Sequence, residues 1–406
     1  MKKVIDAALA ICLFLLTGSA LAVNVIAPSD ENVLYTGRWD FSNPTVPWAQ
    51  AKASSIIVNF QGTGIAVDID GGNSEYLRAI IDDDALNSVK FQLVDGLNIL
   101  ASGLADTTHK LELVKETDHS RLHLLGIHLD DGKSLEPPPV RPPRRIEFYG
   151  DSNQAGFSLE SERNQSGSHL QGAYYTYPGI VARMFNAEHV NFSKSGATTS
   201  SLITAHDRID WSSSSPQWDF GRFQADLVVI NIGANDRGPV RRRKSKYHEL
   251  LDELRTEHPY AHIMLFNAYG WDFNEPANFI HEVVAERGDP DMSFAVFPWV
   301  FAQFHGCEYD HGGMAMVLAE HIQSVLGWVP APQDVMSGFG ANGDVANGSF
   351  ELAAPFGGWG WRYYDDPGVS REYDPATVYD GDYFLRLSNG AHSQQTNPAE
   401  SGETYT

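Results

Sequence analysis

Short apolar stretches separated by turn residues fill the first third of the chain. Each is rich in Ile, Val or Leu, and turns such as Gly71-Gly72-Asn73 divide them. The stretches lie at residues 55–60, 64–69, 77–81, 111–115 and 122–127. Several short strands at even spacing predict a jelly-roll-like β-sandwich, which we assign to residues 23–136.

The pattern changes after residues 137–143, whose sequence PPPVRPP indicates a stiff extended linker. From here to residue 330, apolar runs alternate with stretches of helical length. Predicted strands are 190–193, 227–232, 263–266 and 294–297, and predicted helices are 174–185, 245–257 and 314–326. This alternation predicts an α/β domain with a doubly wound parallel sheet over residues 144–330.

A third composition begins near residue 340. Strand-like stretches at 347–351, 358–361 and 380–387 predict a partial C-terminal β module of the carbohydrate-binding kind over residues 340–406. Trp359 and Trp361 are candidates for contacts with sugar rings.

The first 22 residues have the pattern of a secretory signal peptide. Lys2 and Lys3 precede an apolar stretch at 7–16, and Ala20-Leu21-Ala22 is a small-x-small cleavage pattern. We therefore expect a secreted or periplasmic protein. Cys12 would leave with the signal, so Cys307 would be alone in the mature chain and no intramolecular disulfide could form.

The formal net charge of −23 argues against nucleic acid or anionic membrane surfaces as partners, because both require basic patches. The basic run at 241–244 is interpreted as a solvated helix start. His305, Cys307 and His311 do not have the four matched ligands of a structural zinc site. We expect a monomer without a metal or organic cofactor, acting on a neutral substrate.

Candidate chemistry begins at a serine that follows a short apolar strand, in the sequence RIEFYGDSNQAG at residues 145–156. Gly150 allows a sharp bend, so Ser152 would lie beyond the carboxyl end of the strand, where open α/β sheets bind ligands. The Gly-x-Ser-x-Gly elbow of α/β-hydrolases is not present, since Gln154 occupies its last position. A serine here is a nucleophile only with a base within reach.

Three further segments follow other strands or precede the last helix. Gly196 can offer a backbone N–H and Asn235 a side-chain amide, while His311 lies in the segment EYDHGG at 308–313. Together they supply an acyl-transfer site in which Ser152 attacks and His311 takes the proton. The N–H groups of Ser152 and Gly196 and the Asn235 amide would hold the oxyanion.

This order of four blocks resembles the SGNH (GDSL-type) hydrolases. More narrowly, the chain resembles carbohydrate esterase family 2, in which a small β-sandwich precedes the SGNH domain. The resembling segments are 35–38 (YTGR), 60–64 (FQGTG), 130–132 (DDG), 145–152 (RIEFYGDS) and Gly306-Cys307. The resemblance implies an SGNH fold and the removal of O-acetyl groups from plant-type polysaccharides such as xylan or glucomannan.

The chain departs from the family at several positions. The usual Asp-x-x-His spacing becomes Glu308-x-x-His311, and Asp310 is adjacent to the histidine. Glu308, Asp310 or a backbone carbonyl could therefore orient His311, and we assign Glu308. Gly312 replaces a frequent proline, and Asn153 stands where an aliphatic residue is usual.

The sequence thus predicts a secreted acetyl polysaccharide esterase. Two alternatives stay open: a non-catalytic glycan-binding protein with a decayed esterase domain, and a GDSL-type lipase or thioesterase.

Overall fold

The computed structural model describes residues 24–85, 87–161, 165–268, 279–297 and 305–331, with four short strands between residues 353 and 387. The predicted signal segment 1–22 and most of the predicted module at 340–406 lie outside the described residues. Within the described part of the chain, no helix is long and apolar enough to cross a bilayer.

The N-terminal region is built from two antiparallel sheets. In chain order its strands are β1 (Asn24–Ile26), β2 (Leu34–Thr36), β3 (Trp39–Asp40), β4 (Trp48–Ala49), β5 (Ser55–Gly62), β6 (Ile65–Asp70), β7 (Tyr76–Ile81), β8 (Val89–Gln92), β9 (Gly96–Ala101), β10 (Thr107–Lys115), β11 (Leu122–Leu129) and β12 (Leu135–Glu136). One sheet has the order β3-β4-β11-β6-β9, with β1 beside β11. The other has the order β12-β5-β10-β7-β8, with β2 beside β5.

The two sheets share one apolar core, because alternate residues of each strand point inward. Ile56, Val58 and Phe60 of β5 are buried in it, together with Val67 and Ile69 of β6. The predicted sandwich strands are confirmed, each within a few residues of its expected bounds.

The second region alternates strands and helices. In chain order it contains β13 (Arg144–Gly150), a 3₁₀ turn (Ser168–Leu170), α1 (Tyr177–Met184), β14 (Ala187–Ser193), α2 (Thr199–Ala205), a 3₁₀ turn (Phe220–Arg222), β15 (Leu227–Asn231), α3 (Val240–Glu257), β16 (His262–Ala268), α4 (Phe279–Arg287), β17 (Met292–Phe297) and α5 (Glu308–Leu326). The five strands are parallel, in the order β14-β13-β15-β16-β17.

Helices cover both faces of this sheet, which confirms the predicted doubly wound α/β fold. One apolar cluster joins α1 and α5 to the sheet, and a second joins α2, α3 and α4 to its other face. Strand β15 is buried at every position, as its continuous apolar sequence predicted.

The first strand, β13, lies at the point where the strand order reverses. Its last residue, Gly150, pairs with Ser193 of β14 on one side and with Asn231 of β15 on the other. The three loops that follow these strands therefore leave the sheet at the same edge, which is where doubly wound folds place their ligands.

Buried polar side chains of the sandwich form an ion pair and hydrogen bonds with the α/β region. Arg38 is fully buried and its Nη2 lies 2.7 Å from the Glu147 carboxylate of β13. Lys52, also fully buried, donates from Nζ to the Ala155 carbonyl oxygen (2.6 Å) and to Gln171 Oε1 (2.9 Å). The bond from Lys52 to Ala155 reaches the loop that carries Ser152, so the sandwich supports that loop directly.

The described C-terminal strands form two short antiparallel pairs. β18 (Ala353–Ala354) pairs with β19 (Gly357–Gly358), and β20 (Val369–Tyr373) pairs with β21 (Tyr383–Leu387). The last strand falls inside the predicted stretch 380–387. The assignment of 340–406 as a carbohydrate-binding-like module stays a prediction, as do the limits chosen for the other domains.

Candidate active site

The serine loop folds tightly against the end of β15. A Cβ atom on Gly150 would lie 2.7 Å from the Asn231 carbonyl oxygen and 2.7 Å from the Gln154 side chain, so only glycine fits there. Hydrogen bonds from Ala155 N–H to Asp151 O (2.9 Å) and from Phe157 N–H to Ser152 O (3.0 Å) close the turn. Ser152 is thereby held at the carboxyl edge of the sheet, as predicted.

The histidine that meets this serine is His305. Its Nε2 lies 2.9 Å from Ser152 Oγ, and its ring packs on Phe157 with a centroid separation of 4.7 Å. Burial lowers the pKa of His305 to about 4, because desolvation disfavours the imidazolium. The imidazole is therefore neutral at pH 7 and can accept the serine proton.

This pKa predicts the acid limb of the activity profile. The neutral form of His305 is the base, so kcat/KM should rise with pH through an apparent pKa near 4 and stay level between pH 6 and 8. The measurement is hydrolysis of 4-nitrophenyl acetate at substrate concentrations well below KM. A limb centred near the ordinary histidine pKa of about 6.5 would contradict the prediction.

The prediction that His311 pairs with Ser152 is corrected by the structure. His311 is fully buried in the first turn of α5, where its Nδ1 accepts a hydrogen bond from Tyr177 N–H (3.1 Å). Its ring stacks on that of Tyr177, and its Nε2 has no hydrogen-bond partner among the described residues. The helix begins at Glu308, earlier than predicted, and this turns His311 into the interior.

The two candidate acids near His311 have other surroundings. Asp310 caps α5, since its Oδ2 accepts from Cys307 N–H at 3.0 Å. Glu308 begins the helix, and the charges acting on its carboxyl group are those of Glu160, Arg78 and other interface residues. Burial and then Glu160 raise the pKa of Glu308 to about 8. No hydrogen bond between Glu308 and either histidine is found in the described part of the structure, so its assignment as the third catalytic residue stays a prediction without structural support.

Glu308→Gln tests that assignment through both stability and activity. The native carboxyl keeps its proton up to about pH 8 while the unfolded one loses it near pH 4.5, so the parent protein loses stability across this interval. Glutamine does not titrate. We expect the variant to melt roughly 5 °C higher than the parent at pH 8, with a smaller difference at pH 5.

The same variant should keep kcat/KM for 4-nitrophenyl acetate within about threefold of the parent value. If Glu308 oriented the catalytic histidine, the loss would instead be on the order of 10⁴-fold. Thermal melts at the two pH values and initial rates at pH 7 separate the two cases.

Two of the three predicted oxyanion donors, Gly196 and Asn235, follow the strands that flank β13. Lys194 N–H donates to Gly150 O at 3.2 Å, so the loop carrying Gly196 starts beside the serine turn. Gly196 has φ +81°, a left-handed conformation that favours glycine, and the space beside it is open. Asn235 donates from Nδ2 to Ala197 O (3.0 Å), which joins the third loop to the second. Its amide has a second hydrogen available for a ligand.

A polar groove of about 500 Å³ lies beside the Gly196 loop. The sandwich and the α/β region both line it, with Gln50, His119, Ser120, Arg121, Lys194, Asp210, Trp211, Ser212 and Ser214. Its cations are paired, since Arg121 Nε lies 2.7 Å from Asp210 and Lys194 Nζ lies 3.1 Å from Asp118. We call this space the interdomain groove.

Comparison with known proteins matches both regions of the chain. The family described as carbohydrate esterase 2 N-terminal matches residues 35–139, and the GDSL-like lipase/acylhydrolase family matches residues 148–300. The parallel sheet with its serine loop thus defines a GDSL-type hydrolase of the SGNH fold. With a carbohydrate esterase 2 N-terminal domain in front of it, the chain belongs with the family 2 carbohydrate esterases.

Three relatives support this placement. The chain is 30% identical to a cellulase/esterase, CelE, of Acetivibrio thermocellus over 74% of its own length, and it spans 40% of that larger protein. It is 22% identical to an acetylxylan esterase/glucomannan deacetylase of Cellvibrio japonicus, covering 76% of this chain and 92% of the relative. The solved structure of a family two carbohydrate esterase from Clostridium thermocellum in complex with cellohexaose superposes with a TM-score of 0.68 at 27% identity, covering 73% of this chain and 100% of that one.

Proposed function

We propose that this protein is an exported serine esterase that removes O-acetyl groups from a polysaccharide of the xylan or glucomannan type. The observation that carries the proposal is the hydrogen bond between Ser152 and His305 at the edge where three strand-end loops meet. An activated serine beside N–H donors is what acyl transfer requires.

The reaction proceeds in two halves. Ser152 Oγ attacks the acetyl carbonyl carbon while His305 Nε2 takes the hydroxyl proton, and the carbonyl oxygen becomes an oxyanion. The N–H groups of Ser152 and Gly196 and the Asn235 amide donate to it. The C–O bond to the sugar breaks as His305 protonates the leaving sugar oxygen, which leaves an acetyl-serine. Water, deprotonated by His305, then releases acetate and restores Ser152.

The interdomain groove supports a polysaccharide as the substrate. Lys194, two residues before Gly196, lines it, so we infer that a sugar chain whose acetyl group reaches Ser152 extends into it. Paired cations leave it without excess charge, which suits neutral sugars. Trp211 stacks on Phe192 with centroids 5.0 Å apart and an interplanar angle of 7°, which holds the indole in place at the groove.

A panel of esters tests the function. Acetate release would be measured from acetylated xylan, acetylated glucomannan, 4-nitrophenyl acetate and 4-nitrophenyl esters of long-chain acids. We expect turnover of the acetylated polysaccharides and poor turnover of long-chain esters. Faster turnover of the long chains would favour a lipase. Tight glycan binding without acetate release and without labelling of Ser152 by a fluorophosphonate would favour a binding protein.

Trp211→Ala tests the role of the groove. We expect kcat/KM for acetylated polysaccharide to fall about fivefold, mainly through KM, because one aromatic contact is worth roughly 1 kcal/mol. Hydrolysis of 4-nitrophenyl acetate should stay within twofold, since this ester is too small to reach the groove. Trp211→Phe keeps an aromatic face and is the matched control. Equal losses on both substrates would contradict a sugar-binding role.

A further inference from the structure

His305 lies in the segment that leads into α5, and a second contact accompanies its hydrogen bond to the serine. The next residue, Gly306, donates its backbone N–H to Asn153 Oδ1 at 3.2 Å. Two neighbouring residues of one segment thus contact two neighbouring residues of the serine loop: His305 contacts Ser152, and Gly306 contacts Asn153. Such a double contact fixes the distance and direction between the two backbones.

Asn153 is itself held firmly. Its side chain is fully buried, its Nδ2 lies 3.6 Å from Met314 Sδ of α5, and its own N–H donates to Asp151 Oδ1 at 3.3 Å. Its side-chain oxygen is therefore fixed in place as an acceptor for Gly306. An aliphatic side chain, which the family resemblance led us to expect at this position, would fill the space but leave the buried Gly306 N–H without this acceptor.

The approach of the two segments is also close. A Cβ atom on Gly306 would lie 3.3 Å from Asn153 Oδ1 and 3.2 Å from Asp310 Cβ, so a larger residue would push the segment away from the serine loop. The hydrogen bond between the two segments therefore requires a small residue at position 306 and a side-chain acceptor at position 153.

We propose that Asn153 is a positioning residue for the esterase reaction, holding His305 in line with Ser152 through the backbone of Gly306. The inference rests on the proposed function, because it requires His305 to be the base. Asn153 does not touch the acetyl group. It acts only by keeping the Nε2–Oγ geometry, and a displacement of about 1 Å in such a geometry can cost ~10²-fold in rate.

Asn153→Leu removes the acceptor while keeping a side chain of similar size. With 4-nitrophenyl acetate we expect kcat to fall about 10- to 100-fold and KM to change less than twofold. The second-order rate of fluorophosphonate labelling of Ser152 should fall by the same factor, because it reports the same Ser–His pair. Gly306→Ala, which disturbs the contact from the other side, should lower both quantities, and the double variant should be no slower than the slower single variant.

Asn98→Leu is the matched control for a loss of stability. Asn98 is a buried amide of the sandwich that donates to Val94 O and Gly96 O, so its replacement also removes buried hydrogen bonds. We expect it to lower the melting temperature at least as much as Asn153→Leu does, with kcat unchanged. An Asn153→Leu variant that is folded and as active as the parent would overturn the inference.

The decisive comparison uses the His305→Ala background. If Asn153 acts through His305, adding Asn153→Leu should change the residual labelling rate by less than twofold. If the double variant instead loses a further 10- to 100-fold, Asn153 acts on the serine by another route and this inference fails. If His305→Ala alone is fully active, the proposed Ser152–His305 pair fails instead, so the two failures are distinguishable.

Discussion

Replacing Ser152 by alanine is expected to lower kcat/KM for acetyl esters by ~10⁴-fold or more, because the variant can form no acetyl-serine. The loss should be the same for 4-nitrophenyl acetate and for acetylated xylan, since Ser152 Oγ is the nucleophile that attacks both esters. Mass spectrometry of the parent protein after fluorophosphonate treatment should show one adduct on the peptide containing Ser152, and the variant should show none.

Ser55→Ala is the control for this experiment. Ser55 is a buried serine of strand β5 in the sandwich, and its hydroxyl donates to Ala53 O. Its replacement should leave both activity and labelling at the parent level. Full acetate release by a folded Ser152→Ala protein would remove the basis of the esterase proposal.

The second large effect is expected at His305. His305→Ala should lower kcat for 4-nitrophenyl acetate by ~10³- to 10⁴-fold at pH 7, since the imidazole that lies 2.9 Å from the serine hydroxyl is then gone. The residual activity of this variant should increase with pH, because hydroxide then takes the serine proton in place of the imidazole. Initial rates between pH 5 and 9 would reveal this change in profile.

Comparison with His311→Ala shows which of the two histidines is the base. His311 lies on the same segment and is also buried, but its ring contacts Tyr177, with Nδ1 accepting the Tyr177 N–H. Removing it leaves a cavity, and we expect a stability loss of about 2–4 kcal/mol with kcat within fivefold of the parent in the folded protein. If His311→Ala were inactive and folded while His305→Ala kept its activity, the assignment of the base would be reversed.

Most of the fold could be predicted because its signals are local. Strand periodicity identified the sandwich, and the buried run at Leu227–Asn231 identified the central part of the parallel sheet. The edge of the sheet was also predictable, because the loops after parallel strands must emerge on the same side. Ser152, Gly196 and Asn235 all follow such strands.

The histidine that contacts Ser152 could not be identified from the sequence, because the choice depends on where one helix begins. The helix predicted at 314–326 leaves out Gly312 and Gly313, which are poor helix formers. The structure starts it at Glu308, with Asp310 capping the N–H of Cys307. Cys307 is not among the residues preferred at a helix N-cap, so the sequence carries no strong signal for this start.

The contact made by Asn153 could not be predicted for a different reason. Its sequence position identified it as unusual, but nothing local indicates that its oxygen meets a backbone N–H 153 residues away. Long-range polar contacts of this kind carry no periodicity. They become visible only once both segments have been placed in the fold.

The Arg38–Glu147 contact limits how the protein can be divided. The Arg38 guanidinium comes from the sandwich, yet it also donates to the backbone oxygen of His206, after α2, and to the hydroxyl of Tyr149 in β13. A fragment cut before residue 144 would retain the buried Glu147 carboxylate beside His258 but without the Arg38 cation, a loss typically of about 3–5 kcal/mol. Engineered chimeras would therefore have to exchange the two units as one piece, and a minimal catalytic fragment would have to begin upstream of Arg38.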